Sequence, residues 1–265
     1  MKRILISVFL AAICLSSFGQ KQEEKKKFQI KGQPMVTVFA NYHAGIGNAN
    51  KESGFALDRA YLGYQFSLTE KLSGKVVFDM GSTKVSGSDL ERVAYIKNAM
   101  LSWKTGNFTL DFGLIGLEQF NVQEKFWGYR YIMKSFQDEY KFGSSADMGI
   151  LGKYKFTKWL SADITISNGE GYKKLNGDNK YRYAVGATIL PVKNLTIRAY
   201  YDLASKNIEG DETKDQQNLA FFAGYKHELF SIGAEYNQMY NTKFKEDNDQ
   251  SGFSVYSTIK LEDQF

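Results

Sequence analysis

The sequence predicts an all-β protein, an antiparallel up-and-down barrel whose wall crosses a membrane. Three observations carry this. Segments of alternating apolar and polar residues recur about every twenty residues from Met35 onward. The connections between them are alternately short and long. The chain also opens with a secretory signal.

The signal comes first in the chain. Lys2 and Arg3 supply its positive start, and Ile4 to Ile13 its short, mostly apolar centre. Ser17 and Gly19 are the small residues at −3 and −1, so cleavage is expected before Gln20. Ile13 is a poor residue to precede a lipidated cysteine, so Cys14 is read as part of the signal and not as an anchor. Cleavage removes this one cysteine, and with it any disulfide or thiolate metal site. Residues 20–33 contain the run KQEEKKK and read as a solvated periplasmic tether. The barrel is expected over 34–265, in the outer membrane of a Gram-negative cell.

Composition agrees. The chain has 2 prolines against 24 glycines, 17 tyrosines and 20 phenylalanines. Proline interrupts a ladder and aromatic rings pack well on pleated surfaces, so this balance suits long paired strands. The mean hydropathy of −0.38 is that of a water-soluble chain, and no run approaches the ~18 apolar residues of a spanning helix. A barrel wall escapes both tests, because half of its residues face water in the lumen.

Twelve strands are predicted, over 35–43, 55–68, 74–81, 92–104, 108–116, 146–156, 160–168, 181–190, 195–204, 217–227, 229–240 and 252–261. Most have about the 9–11 residues that a tilted strand needs to cross a bilayer. In 195–203, Leu195, Ile197, Ala199, Tyr201 and Leu203 share one face. Thr196, Arg198, Tyr200 and Asp202 share the other, because residues at i and i+2 point the same way. The connections at 69–73, 105–107, 157–159, 191–194 and near Glu228 are short. Those at 44–54, 82–91, 117–145, 169–180, 205–216 and 241–251 are long and polar. An outer-membrane barrel shows this sidedness, with tight periplasmic turns and longer outer loops.

A soluble β-barrel would alternate too, with its charges outside. The signal, the sided loops and the aromatics near the short turns (Tyr64, Phe66, Trp103, Tyr154, Phe156 and Trp159) favour the membrane wall, whose interfaces carry such rings. The polar face then lines the lumen. Its candidate pore-lining residues are Arg59, Lys75, Asp79, Asp111, Lys153, Asp163, Arg182, Arg198, Asp202 and Lys260.

Loop 117–145 is the longest connection and carries bulky residues, among them Phe120, Phe126, Trp127, Tyr131, Ile132, Met133 and Phe136. These need burial, and long loops in compact proteins are usually functional. The loop is expected to fold into the barrel and narrow it, with Lys125, Trp127, Arg130 and Lys134 at the constriction. An external plug or a subunit contact is the alternative.

Several stretches in order resemble the phosphate-selective porin O/P family in its Bacteroidetes-type form. They are Arg59-Ala-Tyr-Leu-Gly63, Val77-Phe-Asp79, Lys97-Asn-Ala-Met100, Leu110-Asp-Phe-Gly113, Phe126-Trp-Gly-Tyr-Arg130, Ser144-Ser-Ala-Asp-Met-Gly149 and Asn168-Gly-Glu-Gly-Tyr172. The resemblance runs from about residue 34 to the end. It implies a porin of about sixteen strands, often a homotrimer, with an inward third loop. The solutes would be small hydrophilic molecules or ions, anions such as phosphate among them. The lumen candidates mix both signs, so a basic constriction and a salt-bridged lumen with little ion preference both remain open.

The end of the chain bears on strand number. Ile259-Lys-Leu-Glu-Asp-Gln-Phe265 parallels Phe66-Ser-Leu-Thr-Glu-Lys-Leu72, which is a strand end, a turn and a new strand. About four further strands are therefore expected beyond Phe265, over a closed twelve-stranded barrel, since unpaired edges are untenable in lipid.

Other functions fit less well. Loss of Lys2 and Arg3 lowers the formal charge from +5 to +3, too little to imply nucleic acid. Neither His43 nor His227 has a serine or acid signature beside it, so hydrolase chemistry is not expected. Two histidines make a zinc site improbable, and no phosphate loop of the nucleotide-binding type occurs. No cofactor is expected. Asn168-Gly-Glu-Gly reads as turn chemistry. A non-conducting structural or adhesive barrel is the main rival to a pore.

Overall fold

The computed structural model of the chain describes residues 30–45, 53–82, 92–174, 177–207 and 213–261. The predicted signal and the tether up to residue 29 lie outside them. Twelve strands form one sheet: β1 (Lys31–Ala44), β2 (Ser53–Ser67), β3 (Leu72–Ser82), β4 (Arg92–Thr105), β5 (Phe108–Gly116), β6 (Ala146–Lys155), β7 (Leu160–Ser167), β8 (Arg182–Ile189), β9 (Leu195–Ala204), β10 (Gln216–Lys226), β11 (Phe230–Tyr240) and β12 (Gln250–Ile259). Each is hydrogen-bonded to its neighbours in sequence, and every pair is antiparallel. Among the described residues β1 and β12 are the edges and do not pair with each other.

All twelve predicted segments fall on these strands. The largest shift is at β1, which begins at Lys31 and so takes in residues assigned to the tether. It contains Pro34, and an edge strand tolerates the missing N–H.

The sheet is inside out relative to a soluble protein. In β7, Asp163, Thr165 and Ser167 are buried, whereas Ile164 is 62% exposed and Ile166 is also exposed. In β10, Asn218, Ala220 and Phe222 are buried and Phe221 is exposed. In β11, Glu235 and Asn237 are buried while Ile232 and Tyr236 are exposed. Apolar side chains cover the outside and polar ones are covered on the inside. That is the transverse polarity of a transmembrane β-barrel wall, with hydrocarbon on one side and a lumen on the other.

Aromatic residues mark both rims of the exposed face. At the short-turn rim, Tyr64 stacks with Phe66, Trp103 meets Phe108 edge-on, and Tyr154 meets Phe156. At the long-loop rim, Tyr42 packs on Phe55 and Tyr181 on Tyr183. The second belt was not anticipated from the sequence, because its members adjoin polar loops. Placing a lysine at Ile164 puts a charge on the outer face of a central strand. It should cost about 2–4 kcal/mol if that face is in lipid. Urea unfolding in vesicles measures this, and an unchanged midpoint would argue for a water-exposed face.

The third long loop is not strand. It forms helix α1 (Glu118–Trp127) and the single turn α2 (Phe136–Glu139). Glu118 sits favourably in the first turn of α1 and Lys125 in the last. Gly128 ends the helix in the left-handed conformation, donating its N–H to the Glu124 carbonyl. The buried side of α1 carries Gln119, Phe120, Gln123 and Phe126, a stripe that is half amide and half aromatic. It suits a wall that is itself polar.

Candidate functional site

The inner wall divides into a covered half and an open half, and the third loop draws the line. It packs against β9, β10 and β12, and its Glu118 reaches Lys153 of β6. Arg198 donates from Nε to the Gln119 Oε1 of α1 at 2.9 Å. The Phe126 ring lies 5.1 Å from Phe222 and 6.3 Å from Tyr256, and Trp127 lies 5.0 Å from Tyr256. Asn218 donates to the Phe142 carbonyl at 2.7 Å, and Gln250 to that of Tyr140 at 2.8 Å. Phe120, Phe126 and Phe142 are buried here, each worth roughly 1.5–3 kcal/mol of transfer free energy. A small apolar cluster of Ile115, Leu117 and Leu151, with Met100 against it, fixes the start of the loop. The expected inward fold of this loop is what the structure shows.

Beneath the loop most wall charges are paired, Glu235 of β11 being buried there without an ion pair among the described residues. Arg198 is 1% exposed and holds Asp163 through both terminal nitrogens, at 2.7 and 3.0 Å, with Thr188 as a further acceptor at 3.0 Å. Gly186 makes room for this guanidinium, since a β-carbon there would collide with it. Arg182 holds Asp202 at 2.7 Å, and Tyr200 donates to the same carboxylate at 2.8 Å. Asp163, Arg182, Arg198 and Asp202 are thus buried on the polar face, Arg198 against α1 and Arg182 against Gly169 of the loop that follows β7.

The open half is formed by β1 to β4. Gln33, Thr37 and Gln65 share the inner face of β1 and β2 and are exposed. Two cavities lie along this wall. One, of about 480 Å³, is near the short turns and is lined by Lys31, Gln33, Gln65, Ser73, Lys75 and Ser102. The other, of about 510 Å³, is nearer the long loops. Phe39, Asp58, Arg59 and Gly81 line it from the wall, and Arg130 to Lys134 with Glu139 line it from the third loop. Between them in register stand Tyr61 opposite Asp79 and Gly63 opposite Val77. Arg59 bridges Asp79 at 3.0 Å.

The charges on this half and on the neighbouring β5, β6 and α1 are on balance basic. Lys153 bridges Asp111 at 3.0 Å and Glu118 at 3.7 Å. Lys75 lies within electrostatic reach of Lys125, Lys97 and Lys153 and of one acid, Asp111. None of Lys75, Lys97 and Lys125 has a carboxylate partner among the described residues. Lys97 sits where β4 bulges against β3, and its ammonium lies 4.3 Å from the Tyr61 ring and 3.1 Å from its hydroxyl. The sequence reading passed over Lys97 as a pore residue. The bulge breaks the period-two count that selected the others.

The expected constriction set is only partly free. Arg130 is bound at 2.9 Å to both Glu124 and Asp138, and Lys134 at 3.4 Å to Glu139, all within the loop. Trp127 donates its indole N–H to the Met133 carbonyl at 2.8 Å, stapling the loop to itself. Lys125 is exposed. Lys260 follows β12 and lies exposed beside the short turn, its N–H donated to the Leu229 carbonyl. His43 and His227 lie at opposite rims, the first near Asn41 and the second stacked on Phe230.

No protein-family profile matches the chain, and no curated protein is similar to it. Solved structures of similar shape include Salmonella typhi OmpF in complex with daunomycin, 13% identical over 86% of this chain and 97% of that one, with a TM-score of 0.39. Outer-membrane-expressed OmpT of Vibrio cholerae is 13% identical over 88% of this chain and 82% of its own, with a TM-score of 0.44. Its loop L8 deletion mutant gives 14%, 86%, 87% and 0.43.

Proposed function

We propose that the protein is an outer-membrane pore for passive diffusion of small hydrophilic solutes and ions, with a preference for anions such as phosphate. The observation that carries this reading is the inner wall along β1 to β4, with a cavity toward each rim whose lining is largely polar. A structural or adhesive barrel has no need of such a lining. Anion preference is supported by the separation of charges. Among the described residues the inward acids Asp79, Asp111, Asp163 and Asp202 each have a cationic partner, the acids Asp58 and Glu235 have no ion pair, and the cations Lys75, Lys97 and Lys125 have none either, which leaves a small basic excess. The same asymmetry favours a basic pore over the salt-bridged lumen that the mixed signs of the sequence left open. Hydrolysis is not part of the reading, since among the described residues the polar partners of His43 and His227 are Asn41 and the Leu229 N–H.

The test is the reversal potential of the purified protein in a planar bilayer under a salt gradient. Its sign should report anion selectivity. A unit charge about 4 Å away through water is worth roughly 1 kcal/mol. Changing Lys75, Lys97 and Lys125 to glutamine together should therefore carry the anion-to-cation permeability ratio most of the way to one. Liposomes that fail to swell with small sugars or phosphate would count for a plugged barrel instead.

A further inference from the structure

The fourth long loop also enters the lumen, and its geometry was not legible as turn chemistry alone. It leaves β7 at Asn168, whose N–H is donated to the Met148 carbonyl at 3.0 Å. The Asp147 carboxylate then accepts the N–H of Gly169 at 2.6 Å and of Gly171 at 3.3 Å. Arg182 reaches the Gly169 carbonyl, and Lys206 bridges Glu170 at 3.2 Å. Gly169 and Gly171 have φ of +93° and +80°, a conformation that favours glycine. This double turn projects Tyr172 away from β7 and across the lumen to β3. There the phenol donates to Asp79 Oδ2 at 2.8 Å. Asp79 is fully buried and is also held by Arg59. Burial, and then the carboxylate beside it, pushes the Tyr172 phenol well above its ordinary range, so the group stays a donor. The neighbouring Lys173 lies over the Tyr95 ring of β4 at 4.8 Å.

We propose that Tyr172 is a size-determining residue of the passage, a latch that spans from the β7 rim to Asp79 and fixes the narrow ring between the two cavities. The inference rests on the reading of the protein as a pore. Tyr61 and Asp79 supply the wall side of that ring, in register between the cavity at Arg59 and Gly81 and the cavity at Gln65 and Lys75, and Arg59 holds Asp79 from the first of these. Tyr172 supplies the facing side. Its loop is anchored at its base by Asp147 and Arg182, so the ring position is defined by two clamps and one contact. A phenol held at both ends of such a chord narrows the path without adding charge. Its effect therefore falls on solute size and not on ion sign.

The test uses the protein purified from outer membranes. Y172A should raise single-channel conductance about 1.5-fold or more, because flow follows the narrowest ring. It should also admit larger neutral sugars in liposome swelling while leaving the reversal potential in place. K174A, an exposed neighbour, should match wild type. In Y172C, a bulky thiol reagent added in the bilayer should lower the conductance again. If wild type conducts and Y172A, folded by its heat-modifiable mobility, conducts and sieves as wild type does, the latch is overturned and the pore reading stands. A wild-type protein that leaves the bilayer silent overturns both.

Discussion

Replacing Arg198 by methionine is expected to destabilise the barrel by about 3–5 kcal/mol, the usual cost of leaving one member of a buried ion pair alone. Arg198 has the most partners of any charge under the third loop. It satisfies both oxygens of Asp163, donates to the Thr188 hydroxyl and donates to Gln119 of α1. The methionine variant strands a carboxylate that is 6% exposed. It also removes one of the bonds between helix and wall. The unfolding midpoint in urea should fall, and the channel should become noisier as α1 loosens. Replacing Asp163 by leucine in the same chain should recover most of the loss, since a buried pair exchanged for apolar groups is often neutral. A methionine variant with the wild-type midpoint would mean that the pair is wet and the loop is held elsewhere.

Excising the third loop should have the largest effect on conductance. The cut is structurally permissible. Gly116 is already paired with Ala146, and the Leu117 N–H is donated to the Ser145 carbonyl. A two-residue Asn-Gly turn between Leu117 and Ser145 therefore closes a hairpin whose register exists. Removing a helix about 10 Å across returns about 80 Å² of lumen. If the protein is the pore proposed, conductance should at least double, and the proposed preference for anions should fall, because the paired acids under the loop become wet and Lys125 is lost. Unchanged conductance in the folded variant would place the solute path outside the lumen described above.

How far each of these features could be read in advance differs for a physical reason. The strands, their order and the face of nearly every residue on them follow from alternation. A strand between lipid and water is judged residue by residue, and Ile164 and Asp163 declare their sides by chemistry alone. The inward turn of the third loop was also legible, because Phe120, Phe126 and Phe136 demand burial wherever they go. Its helix was not. The buried stripe of α1 mixes glutamine with phenylalanine to match a polar wall, so no apolar periodicity marks it.

Sequence by itself determined a wall with two faces and sided loops, since period two is a local constraint imposed by two solvents. Tertiary structure alone decided which of the inward charges are covered and which stand open. Asn218 meets Phe142 across 76 residues, Tyr172 meets Asp79 across 93, and Lys226 meets Lys125 across 101. Whether an inward arginine is a buried clamp or a face of the passage depends on such partners. A lone residue carries no trace of them.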